Sequence, residues 1–307
     1  MTQTLASSLP AAPADSRRES RGMLLGLAGV ALFSLTLPMT RMAVAELDPL
    51  FVALARAVGA AVIAGAWLRW SRAPLPPRAA LLPLAMVALG CILGFPLLTS
   101  IAMQSLPASH GAVLVGALPL CTALYSALRG HERPSRGFWA LALLGSSLVV
   151  AFALDQGGGH FAPADFLMFA AVLSAAVGYA EGGRLARSMG GQETISWALV
   201  LAALPSALLL AVLDPGQFGR LGAVGPRAWL GLGYTTVFST IVGFFFWYRG
   251  LALGGVARVG QVQLVQPFLS LGGAWVLLGE PLTVANCGFA LAVIAVVALG
   301  RRMQVRR

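Results

Sequence analysis

Long apolar stretches, separated mostly by short polar connections, set the pattern of this chain. They run at about residues 22–40, 50–68, 79–103, 108–128, 137–154, 163–183, 194–213, 226–251, 256–278 and 282–300. Each is about long enough for a helix to cross a bilayer, which takes about 20 residues. Pro107 and the Gly254–Gly255 pair mark boundaries between stretches. Residues 1–21 are Ala, Pro, Ser and Arg without an apolar core, and read as a disordered tail rather than a secretory signal. The pattern predicts an all-α polytopic membrane protein with ten transmembrane helices.

Composition narrows the class further. Hydrophobic residues make up 58% and charged residues 10% of 307 residues, against about 45–50% and about 25% in a soluble chain. The mean hydropathy is +0.82. A water-facing surface cannot be coated with so little charge. The chain contains no lysine, so all 21 basic residues are arginine. A P-loop ATPase and a lysine Schiff base are therefore excluded. Cys91, Cys121 and Cys287 form neither a disulfide framework nor a CxxC site. His110, His131 and His160 match no metal spacing. No metal or cofactor is expected.

A net charge of +10 would suggest nucleic acid in a soluble protein. Here the arginines sort by loop instead. With the N-terminus inside, seventeen fall on the cytoplasmic side, Arg41, Arg220 and Arg227 fall outside, and Arg56 lies within a span. That bias is a positive-inside signal, and one missed span would spoil it. It predicts a plasma (inner) membrane protein with both termini cytoplasmic, partnered by lipid and not by nucleic acid.

Sliding the chain by 148 residues aligns its halves. Pro119 meets Pro267, Glu132 meets Glu280, and Ala142, Leu143 and Val149 meet Ala290, Leu291 and Val297. Apolar matches are cheap in a membrane chain, so the Pro and Glu pairs carry the weight. Five spans per unit is an odd number, so the units sit in opposite orientations. Inverted repeats are a transporter architecture, with substrate held near the midplane between them.

The runs LPLCTALYSALRGHERPS and QPFLSLGGAWVLLGEPLT carry a family resemblance. Over about residues 22–301 the chain resembles the EamA branch of the drug/metabolite transporter superfamily. Gly279–Glu280–Pro281 is the closer match. The first half departs, with His131 for the glycine and its proline one residue later, at Pro134. Arg56 also resembles an arginine that the family often carries in its second span. The resemblance implies ten spans built as two five-helix repeats, over 22–154 and 163–301, with tails at 1–21 and 302–307. It implies export of small organic metabolites, such as amino acids or drugs, through a cavity walled by spans one, three, four, six, eight and nine.

Several polar residues at membrane depth are candidates, and each has a bland alternative. Arg56 is either a cavity cation for a carboxylate or the partner of Glu46, Asp48 or a helix-end carbonyl. Glu132 and Glu280 serve either proton coupling or capping at the next span's N-terminus. Gln261, Gln263 and Gln266 precede Pro267, which frees a carbonyl one turn back. They are either substrate contacts or interhelical glue. Pro119, followed by Thr122 and Ser126, is the symmetry mate. Tyr234, Phe238, Ser239 and Phe245 read as cavity lining, and Trp247, Tyr248 and Arg249 as an interfacial belt. Ser100, Met103 and Gln104, with Thr99, are the counterpart in the third span. Ser34, Thr36, Pro38 and Thr40 give the first span a kinkable polar stretch. Ser174, Tyr179 and Glu181 do the same in the sixth, where Glu181 has Arg184 at hand.

The fifth and tenth spans are almost wholly apolar and suit lipid or a homodimer face. Gly22/Gly26 and Gly90/Gly94 permit close helix packing. Two other classes compete. A lipid flippase would share the fold. An intramembrane enzyme would need a paired acid–base set at depth, which the mid-span positions lack, so an enzyme is not expected.

Overall fold

The computed structural model describes residues 13–129, 133–134, 136–156, 159–212, 218–219, 221–254, 259–302 and 305–306. Its helices are labelled in chain order, with consecutive pieces of one rod under one label. They are α1 (Pro13–Ser34 and Thr36–Val44), α2 (Pro49–Trp70), α3 (Arg78–Ala102), α4 (Ala108–Val115 and Leu118–Arg129) and α5 (Arg136–Gln156). The second half has α6 (Pro163–Met189), α7 (Gly191–Ala211), α8 (Pro226–Gly254), α9 (a 3₁₀ turn Gly260–Val265 running into Gln266–Leu278) and α10 (Val284–Arg302). Among the described residues, seven rods are long and apolar enough to cross a membrane, and three shorter apolar segments lie at Leu143–Gln156, Val262–Leu278 and Val284–Val296.

Two expectations change at the termini. Among the described residues α1 is helical from Pro13 on, inside the stretch read as a disordered tail. Arginine and glutamate are good helix formers, so a lack of apolar residues did not preclude a helix there. At the other end, Val305–Arg306 pairs antiparallel with Arg133–Pro134. This two-residue ladder is the departure from an all-helical chain among the described residues.

The helices pack mainly across the halves. α1 lies on α8, α2 on α7, α3 on α6, α4 on α9 and α5 on α10. Exchanging the halves maps this list onto itself. Two of the crossings are built from glycine. A Cβ added at Gly22 would meet Gly254 Cα at 2.6 Å, and one at Gly90 would meet Gly178 N at 2.8 Å. The small-residue pairs read from the sequence thus bring α1 against α8 and α3 against α6, within one chain. Outward-facing leucines such as Leu204, Leu143 and Leu291 stay exposed, as a lipid-facing surface requires.

Breaks in the rods follow from local chemistry. Pro38 cannot donate to the Ser34 carbonyl and crowds it, and the Ser34 hydroxyl bonds back to Val30 O at 2.7 Å. The rod of α1 breaks there, at Leu35. Pro119 and Pro267 both fall in the first turn of a restarted helix, in α4 and α9. α3 and α8 each widen into π-helical turns, over Ala88–Gly94 and Thr235–Gly243.

Candidate functional site

A cleft opens where the halves meet, between α1, α2, α3, α4, α6, α8 and α9. The space between its walls, counting what is open to the outside, is about 440 Å³, but it is pinched, and its core holds a water-sized body rather than an organic solute. Arg56 is the charged residue in its wall, and Thr36, Ser239, Tyr179 and Gln266 supply the other polar groups. Phe33, Phe95 and Phe244 supply ring faces.

The polar centre is assembled from three helices. α2 starts at Asp48, whose Oδ1 accepts from the N–H groups of Leu50 and Phe51 at 2.8 and 3.1 Å, a side-chain N-cap. Two turns on, Arg56 is 4% exposed. Its Nε donates to Thr240 Oγ1 at 2.6 Å and its Nη2 to Ser239 Oγ at 3.2 Å. Ser239 Oγ also shares a hydrogen with Thr36 Oγ1 at 2.8 Å. Thr240 Oγ1 passes its own hydrogen to Thr235 O at 2.8 Å, five residues back. That spacing belongs to the wide turn, and π-turns of this kind are frequent at functional sites. Arg56 therefore does not pair with Glu46 or Asp48. Glu46 Oε2 instead accepts from Gly225 N–H at 2.7 Å.

Toward the α4 C-terminus the cleft ends on an aromatic floor. Phe33 meets Phe244 edge-on at 4.9 Å, and Tyr179 lies 5.8 Å from Phe244 and 5.6 Å from Trp247. Trp247 and Tyr248 are 2% and 0% exposed, and the Tyr248 hydroxyl donates to Gly178 O at 3.1 Å. They form no interfacial belt. Their positions on α8 face the glycine-thinned α6 rather than solvent. Arg249 alone of the three is exposed. Beyond the floor, Glu181 of α6 takes Arg129 Nε at 3.3 Å, the Tyr125 hydroxyl at 3.1 Å and Arg184 Nη2 at 2.8 Å. Arg129 and Tyr125 are on α4, so this cluster ties the halves at one end.

At the opposite end Glu280 does the same. Its two oxygens accept from the N–H groups of Ala108 and Ser109 at 2.8 and 2.7 Å, and Arg41 Nε lies 3.5 Å from Oε1. Arg41 also donates to the Met103 and Leu106 carbonyls. Glu280 is thus a helix cap, but of α4 in the other half and not of the span that follows it. One residue on, His110 Nε2 lies 2.8 Å from Asp165 Oδ1, a buried pair between α4 and α6.

The remaining candidates scatter. Gln266 lines the cleft with its Oε1 buried and unpartnered, while Gln263 is buried outside the lining with Nε2 unpartnered. The carbonyl expected to be freed by Pro267 is that of Gln263, and the 3₁₀ turn retakes it through Gln266 N–H. The Gln261 side chain and Glu132 lie outside the described residues. Ser34 is spent on Val30, and Ser100 and Met103 are buried away from the cleft. Gln104 is exposed. Phe238 is 48% exposed and stacks on Tyr234, whose hydroxyl donates to Leu32 O at 3.0 Å. Phe245 packs on Trp67 at 5.3 Å. A helix of period 3.6 would put Tyr234, Phe238 and Phe245 on one face, but the wide turn rotates them off the cleft. Nothing in the sequence reading singles out Phe33, Phe95, Thr240 and Phe244 or puts Cys91 in the cleft wall. A usable signal was the pair Ile92–Leu93–Gly94–Phe95 and Ile241–Val242–Gly243–Phe244, which marks both wide turns.

The profile of the EamA-like transporter family matches this chain twice, over residues 20–152 and 162–301. The "Uncharacterized transporter YdeK" of Bacillus subtilis (strain 168) is 45% identical over 286 residues, covering 93% of this chain and 98% of that one. A crystal structure of a further protein matches with a TM-score of 0.65 at 20% identity, over 92% of this chain and 96% of the other. At that identity the match speaks for the fold alone.

Proposed function

The chain belongs to the EamA-like transporter family, a membrane transporter by that membership, and from this premise we propose a secondary carrier that exports small organic metabolites by alternating access. In this reading ten helices cross the plasma membrane as two inverted repeats, 22–154 and 163–301, with both termini cytoplasmic. The observation that carries it is the cleft at the seam. Its walls come from both halves, and acid-centred clusters also tie the halves together outside its lining: Glu280 with Arg41 and α4, and Glu181 with Arg129. Releasing one cluster while the other holds would open the cleft to one side at a time. Pro119, Pro267 and the wide turns lie where the rods would bend.

Substrate contact is assigned to Arg56, Ser239, Tyr179 and Gln266, which line the cleft. Gln263 is assigned a supporting place behind them. The cleft presents a guanidinium, hydroxyls and an amide, with no acid–base pair among the described lining residues, and that favours a carrier over an enzyme.

Comparing metabolites in the medium of overexpressing and deletion cells identifies the solute. Purified protein in liposomes should then equilibrate that solute without nucleotide, since the lysine of a P-loop is absent. A strict requirement for ATP in that system, or solute movement unaffected by the protein, would overturn the reading.

A further inference from the structure

Arg56 is a buried cation without a carboxylate partner among the described residues. Glu46, Asp48, Asp165, Glu181 and Glu280 are each engaged elsewhere. A guanidinium has five N–H donors, and hydroxyls take two of Arg56's. Holding an arginine at membrane depth costs at least about 2.5–3.5 kcal/mol on insertion scales, so an uncompensated one calls for an anion. The repeat does not demand the residue. Under the 148-residue shift Arg56 falls on Leu204, which is exposed on the outer face of α7.

A second observation comes from Gln266 in the same cleft. Gln266 is 7% exposed and its Oε1 is buried with no donor. A buried acceptor without a partner is a standing cost, and a ligand N–H or O–H would remove it. The same cleft is lined by the rings of Phe33, Tyr179 and Phe244.

We propose that this cleft is a carboxylate site, which rests on the carrier reading and names its substrate class. The ligand is a monoanionic organic acid with a flat or apolar body and one N–H or O–H donor. Its carboxylate lies on the open fork of Arg56 beside Ser239 and Thr36, its body lies against the rings, and its donor meets Gln266 Oε1. An arginine fork matches a carboxylate in two parallel hydrogen bonds. One cation neutralises one charge, so a dianionic phosphate would keep a buried unpaired charge and is disfavoured. The cleft must widen to admit such a ligand, as alternating access requires.

The test uses the purified full chain and three matched probes: indole-3-acetate, its neutral amide and tryptamine. Direct binding and the melting temperature are read together. The acid should bind saturably, with the amide and the amine at least tenfold weaker. Arg56→Gln should abolish the preference for the acid, and Arg56→Lys should keep part of it. Gln266→Leu should weaken acid and amide alike by several-fold. Equal binding of acid and amide, a preference for tryptamine, no saturable binding of the acid, or a preference that survives Arg56→Gln would overturn the site. If Arg56→Gln does not yield folded protein, the three probes on the native chain and Arg56→Lys decide. Arg56-dependent binding with no movement of the acid in liposomes would count against the carrier reading and leave the site standing. Protein-dependent solute movement with no acid preference would do the reverse.

Discussion

Glu280 holds the first turn of α4 with both carboxylate oxygens, and Arg41 sits beside it. Those two N–H groups lie at a helix start, where no intrahelical acceptor exists. Glu280→Ala should leave them orphaned and cost about 1–3 kcal/mol, read as a lowered melting temperature. An unchanged melting temperature would show that water replaces the cap. Gln266 and Gln263 separate differently. Gln266→Leu should weaken solute affinity several-fold at normal membrane levels. Gln263→Leu, away from the cleft, should move stability and leave affinity nearly intact. The reverse pattern would put Gln263 in the site. Residue types at depth were legible from the sequence: Arg56, Ser239, Tyr179 and Gln266 all line the cleft. Their partners were not. Thr240 reaches Arg56 because a wide turn rotates it there, and period 3.6 cannot announce that turn.

Elements carry the next layer. Gly90 and Gly178 let α3 and α6 touch along their backbones, and Gly22 and Gly254 do so for α1 and α8. A Leu at Gly90 would drive its side chain into Ser174 O, 2.5 Å from the added Cβ. Overpacking of this kind typically costs 1–3 kcal/mol. Gly90→Leu should therefore sharply reduce folded protein in the membrane, whereas Leu at Gly272, where a Cβ meets nothing within 4 Å, should be tolerated. Equal yields of the two variants would deny that the glycine crossings set the fold. The apolar stretches gave the rods away, because helix length against bilayer thickness is a coarse constraint. Their interruptions were partly hidden. Proline marked the restarts of α4 and α9, and Pro96 stands just past the wide turn of α3, but no proline accompanies the wide turn of α8. Their signature is the matched Gly–Phe pair at Gly94–Phe95 and Gly243–Phe244, offset by 149 residues rather than 148.

At the scale of the whole molecule, pairing across the halves matters more than any single contact. Under the proposed mechanism, a cleft shared by the two halves and tied toward each end by its own cluster would open to one side at a time. In the proposed topology the arginine bias sets which end faces in. Single cysteines at Asp155 and Arg133 should differ, with only position 155 reacting with an impermeant thiol reagent on intact cells. Reaction at 133 from outside would invert the topology. The direct test of alternating access is the reactivity of one cysteine placed at Gln266, with Cys91, Cys121 and Cys287 replaced. It should react with an impermeant reagent both in intact cells and in inside-out vesicles, whereas a cysteine at the exposed Trp275 of α9 should react from neither side. Cross-linking Tyr125→Cys to Glu181→Cys should abolish access from the vesicle side and preserve it from the cell exterior. Access at Gln266 from one side only, or access from the vesicle side that survives the cross-link, would contradict a cleft that opens alternately between the halves.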